Sequence, residues 1–79
     1  MARAARLFEQ ALATAQQHAT PWFEGDVLVE WGRALAQSGA RDEAAAKLQA
    51  ADDIYVRLGA GPAWRERVAV VRSILSTSD

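Results

Sequence analysis

Cysteine is absent from this 79-residue sequence. Disulfides of the kind that staple small secreted domains are therefore excluded, together with thiolate metal ligands and a thiol nucleophile. A reducing compartment, the cytoplasm, is the expected setting. Long apolar runs are missing as well. No segment approaches the roughly 20 residues a membrane-spanning helix needs, so no membrane partner is expected. Nor is there a surplus of one charge: nine Lys plus Arg against ten Asp plus Glu give a formal charge of -1. Without the basic excess that dominates affinity for phosphate backbones, direct nucleic-acid binding by this segment is not expected. Histidine occurs only once, as His18. A chain this short forms one domain at most.

What the chain does have is apolar residues, 51% of the total. Many are alanines, which favour helix and fill little space, as close-packed helices require. Leu7, Phe8, Ala11, Leu12 and Ala15 recur at spacings of three and four and predict a helix from about Ala2 to His18. Thr20-Pro21 then acts as a stop and a start, with Thr20 as cap and Pro21 at the first helical position. The second helix carries Val27, Leu28, Trp31, Ala34 and Leu35 on its inner stripe and ends at Ser38-Gly39. Asp42 and Glu43 open a third, with Ala44, Leu48, Ala51, Tyr55 and Leu58 inward. After Gly59-Ala60-Gly61-Pro62, a fourth helix follows on Trp64, Val68, Val71 and Leu75 before the polar tail of residues 76–79. No strand pattern occurs. The expected fold is all-α, four helices in antiparallel hairpins.

An offset of about 40 residues superposes the third helix on the first and the fourth on the second. Ala44 falls on Ala4, Leu48 on Phe8, Ala51 on Ala11, Val68 on Leu28 and Leu75 on Leu35. Two-helix repeats of this length cannot bury their apolar faces alone, and so they stack. A plain four-helix bundle is the alternative, because an alanine stripe arises easily in an alanine-rich chain. On the repeat reading the sequence is a fragment of a longer chain, with a helix partner missing at each end.

From Gly25 to Leu58 the order of residues resembles the tetratricopeptide repeat. Leu28, Trp31, Gly32 and Leu35 match the large, Leu, Gly and aromatic positions of its first helix, and Ala44, Leu48 and Ala51 the small, large and small positions of its second. A missing side chain at Gly32 would let the paired helix approach closely. Val56 stands where the family has Pro, which implies a longer third helix. The wording of the loops is narrower. Ala5-Arg6-Leu7-Phe8-Glu9-Gln10-Ala11-Leu12, Trp31-Gly32-Arg33-Ala34-Leu35, Gly39-Ala40-Arg41-Asp42-Glu43-Ala44 and Arg57-Leu58-Gly59-Ala60 resemble the helical repeat arm of large ATP-binding LuxR-type (MalT-like) bacterial transcriptional regulators. In those proteins the arm precedes a DNA-binding helix-turn-helix. Neither a nucleotide loop nor a recognition helix lies in these residues.

If the repeat resemblance holds, the groove side of the second helix presents Asp26, Val29, Arg33, Ala36 and Gln37, continued on the fourth by Glu66, Ala69 and Ser73. Such a strip suits an extended peptide, although any exposed helix face is polar. Asp26, Glu30 and Arg33 read equally as a surface ion-pair row. His18 has no nucleophile to serve and is expected in solvent. Asp52 and Asp53 point about 100° apart and read as solvated charges rather than a metal pair. Trp22, Trp31 and Trp64 read as core and seam rather than as a stacking box, with Trp22 the one exposed. Helix four carries Val68, Val70, Val71, Ile74 and Leu75, too many for one stripe, so Val70 or Ile74 is expected at a contact between two copies in a homodimer. The function expected is a protein- or peptide-binding scaffold; the alternative is a sensor fragment holding a small effector. No catalytic residue, metal site or cofactor is expected.

Overall fold

The computed structural model describes residues 2–77, with side chains from residue 5 to residue 75. It contains four helices and, among the described residues, no strand: α1 (Ala2–Gln17), α2 (Pro21–Gln37), α3 (Arg41–Arg57) and α4 (Pro62–Thr77). None is long and apolar enough to cross a membrane.

The three turns share one construction. The second residue past the end of each of the first three helices takes a left-handed backbone, at Ala19 (φ 52°), Gly39 (φ 87°) and Gly59 (φ 68°). The next amide then reaches back to the carbonyl five residues earlier: Thr20 to Ala15, Ala40 to Leu35 and Ala60 to Tyr55, each at 2.9 Å. This is the Schellman closure, which satisfies carbonyls the helix leaves open. Glycine carries it without strain at two positions, and Ala19 carries it against its Cβ. Thr20 departs from expectation, since its hydroxyl makes no cap to α2 and donates instead to the Ala15 carbonyl at 3.1 Å. Its own carbonyl still accepts from Glu24 N at 3.0 Å and so opens α2.

Helix α2 is the hub. It packs on α1, α3 and α4, while α4 also packs on α3, and among the described residues α1 packs chiefly on α2. The helices therefore do not close around one axis as in a four-helix bundle; they form a slab of 37 × 31 × 15 Å. Leu28, Val29, Leu48, Ala51, Ile54, Tyr55, Val68 and Val71 make the main core between α2, α3 and α4. Trp31, Leu35 and Ala44 make a second, against which Phe8 and Leu12 of α1 lie. There the Phe8 ring stacks on Trp31 at 5.8 Å, and Lys47 Nζ sits 4.1 Å from the Trp31 ring centre.

Two glycines set the α2–α3 separation. A Cβ on Gly32 would meet Leu48 at 2.9 Å and the Ala44 carbonyl at 3.4 Å, and one on Gly25 would meet the Tyr55 ring at 2.6 Å. Both are inside ordinary van der Waals distance, so the hairpin closes because these side chains are missing. Several inward assignments change. Leu7 is 61% exposed, because α1 packs chiefly on α2 and Leu7 falls off that stripe. Ile54, absent from the expected stripe of α3, is buried. The Ala4–Ala44 pairing lies outside the described side chains.

Candidate functional site

The N-terminal ends of α2 and α4 lie beside the C-terminal half of α3, and the rings of Trp22, Tyr55 and Trp64 meet there. Ring centres are 5.0 Å apart for Trp22–Trp64, 5.9 Å for Tyr55–Trp64 and 6.3 Å for Trp22–Tyr55, all tilted. Tyr55 is fully buried beneath, while Trp22 is 41% and Trp64 37% exposed. Tilted rings at these spacings suit the aromatic quadrupole and fix one another's orientation. Of the three tryptophans only Trp31 is core; Trp22 and Trp64 form an outward-facing pair, closer to the stacking box than to the seam expected for Trp64.

A polar clamp holds the cluster. The Tyr55 hydroxyl donates to Asp26 Oδ1 at 3.1 Å, and Arg67 Nη1 donates to the same oxygen at 2.7 Å. Arg67 also lies over the Trp64 ring at 5.5 Å. One carboxylate of α2 thus ties α3 and α4 together, and the guanidinium supports the outer indole. Burial, with the bond to Asp26 and its charge, pushes the Tyr55 hydroxyl up to about 12, against the opposing pull of Arg67. The phenol stays a neutral donor across the physiological range.

A second clamp joins α3 and α4. Arg65 donates to both carboxylate oxygens of Asp52, from Nε at 3.0 Å and Nη2 at 3.3 Å, and Arg72 Nη2 donates to Gln49 Oε1 at 3.0 Å. Asp52 is only 9% exposed, so it is not the solvated charge its sequence position suggests. It lies on the α4-facing flank of α3, where a carboxylate survives burial only with a partner. The Arg65 hydrogen bond holds it below the usual carboxylate range, with burial opposing. Asp53 does stand in solvent, accepting from Gln49 at 2.9 Å.

The strip expected as a groove is not one surface. Val29 is completely buried, because α4 docks across this side of α2 and Val29 becomes part of the core with Val68 and Val71. Asp26 is engaged in the clamp. Glu66 and Ala69 instead line a depression on the α3 flank of α4, with Asp52, Arg65 and Arg72. The Ser73 hydroxyl turns back to the Val70 carbonyl at 2.6 Å. Arg33 Nε lies 3.8 Å from Glu30 in a surface pair, Ala36 is half-buried and Gln37 exposed. Val70 is 53% exposed and Ile74 half-buried. His18 is exposed, and among the described residues no three His, Cys, Asp or Glu side chains are grouped to hold a metal.

Depressions on the described surface measure about 390 to 460 Å³ and are open to solvent rather than enclosed. Two of them, sharing Gln16, Glu24 and Arg57, run between α1 and α3 above α2. Compared with known proteins, the chain matches no family model, no curated protein and no solved structure.

Proposed function

We propose that this chain is a tetratricopeptide-like helical repeat module that binds a protein or peptide and performs no catalysis, and that it is related to the repeat arm of LuxR-type bacterial regulators. The observation that carries the binding reading is the Trp22–Trp64 pair, held open to solvent over buried Tyr55 by the Asp26–Arg67 bond. Exposed indoles already fixed in place lose little freedom on binding, and tryptophan is enriched among the residues that dominate interface energy. The two rings offer on the order of 200 Å². That suits an anchor for one or two partner side chains and falls well short of the roughly 800 Å² per partner of a stable interface. The open depressions favour this reading over an effector sensor, which needs an enclosing pocket. In isolation the chain pairs with itself through Val70 and Ile74, a separate surface on α4. Display selection of peptides against the chain tests the binding site. Selected ligands should lose at least tenfold in affinity on Trp22→Ala or Trp64→Ala; ligands indifferent to both substitutions would overturn the assignment.

A further inference from the structure

The forty-residue correspondence between α2 and α4 holds for the buried positions, since Leu28 and Val68 are both core, as are Trp31 and Val71. It fails, chemically, at two others. Gly25 and Gly32, whose missing side chains let α3 approach α2, correspond to Arg65 and Arg72 on α4. Both arginine side chains lie across α3, on Asp52 and Gln49. The flank of α4 that a further hairpin helix would need is therefore the open depression beside α3, crossed by two side chains already bonded to α3.

We propose that Arg65 and Arg72 close the stack at α4, refusing a helix on the flank where α2 accepts α3. This rests on the repeat correspondence of α2 with α4 proposed above, and departs from the expectation that a helix partner follows α4 in the manner of α3 on α2. A helix entering there as α3 enters α2 must displace two guanidinium groups and strip Asp52, nearly buried, of its bidentate partner. The cost falls on any incoming helix, and α1 of a second copy is the one most at issue. Helix α1 corresponds to α3, so without the arginines identical chains could add head to tail, α4 of one receiving α1 of the next, in a heterologous contact that does not close. With them, self-association is confined to a closed pair on the Val70 side of α4.

Sedimentation equilibrium over a wide concentration range tests this. The unsubstituted chain should never exceed the mass of two chains. D52N/R65G/R72G, which opens the flank and removes the stranded carboxylate, should grow past two chains with rising concentration. D52N/R65A/R72A, which retains helix propensity, should grow in the same direction and serves if the glycine variant loses its helical circular dichroism. Growth of the unsubstituted chain beyond a pair, or folded variants that sediment as it does, would overturn the proposal. Val70→Glu separates the two ideas. If the unsubstituted chain is a monomer that Val70→Glu leaves unchanged, pairing through Val70 fails, while the closing role is still decided by the arginine variants.

Discussion

Adding one methyl group to α2 should destabilise this fold although it improves helix propensity. Ala exceeds Gly in a helix interior by about 1 kcal/mol, so propensity alone makes Gly25→Ala and Gly32→Ala stabilising. The packing argues the reverse. At Gly32 the new Cβ would sit 2.9 Å from Leu48 Cγ and Cδ2, and Leu48 is completely buried. Carbon pairs prefer about 3.5 to 4.0 Å, so the side chain or the helix must move by most of an ångström. Overpacking of this kind costs about 1 to 3 kcal/mol, leaving a net loss of up to about 2 kcal/mol after the propensity gain. Gly25→Ala should cost more, since its Cβ would be 2.6 Å from a Tyr55 ring whose hydroxyl is tied to Asp26. Gly61→Ala has nothing within 4 Å and is the control, expected within about 0.5 kcal/mol of the parent. Thermal melts by circular dichroism resolve the order, because 1 kcal/mol moves Tm by about 4 to 8 °C in a domain of this size. If Gly25→Ala and Gly32→Ala both melted above the parent, the close approach of α3 to α2 would be refuted.

Three further outcomes follow from other parts of the structure. Tyr55 is the only tyrosine, so the absorbance rise on ionisation reports it alone. The midpoint should lie near 12 rather than 10; since the folded value exceeds the unfolded one, stability holds below pH 10 and drains at up to about 1.4 kcal/mol per pH unit between 10 and 12. A midpoint near 10 in folded protein would contradict the buried bond to Asp26. The carboxyl of Asp52 is shifted the other way, so its contribution is present above the unfolded value and lost as pH falls through the folded one. Asp52→Asn should accordingly melt lower than the parent at pH 7 and lose less of its Tm on acidification below pH 4; parallel losses in both would show the pair to be idle. Ala19→Gly relieves a left-handed alanine and should stabilise by about 0.5 to 1 kcal/mol in urea unfolding, and a destabilised variant would count against the α1 turn.

Helix boundaries were legible because glycine and proline mark them: Pro21, Gly39, Gly59 and Pro62 stand at or beside the observed ends. Gly32 was legible too, since a glycine inside an amphipathic helix invites a packing reason, and the same logic missed Gly25 only because it stands near the helix start. What periodicity does not contain is the docking angle of α4. That angle buries Val29, sends Glu66 to the α3 flank, and brings Arg67 to Asp26 across 41 residues of chain. The same ambiguity hid Asp52, because an acidic residue beside a second acidic residue looks solvated until an arginine from another helix arrives. Leu7 shows the converse error: spacing places it on a stripe, but exposure depends on how many neighbours the helix has.

The proposed binding surface depends most on α4 lying across α2 and α3 so that Trp22, Tyr55 and Trp64 converge. A two-dimensional NOE spectrum of the chain in solution tests this directly, because the three aromatic side chains are separated by 33 and 9 residues yet have ring centres within 6.3 Å of one another. Cross-peaks between the Trp22 and Trp64 indoles, and from each to the Tyr55 ring, are the predicted result. A fully helical chain without them would contradict the placement of α4 and, with it, the proposed binding surface.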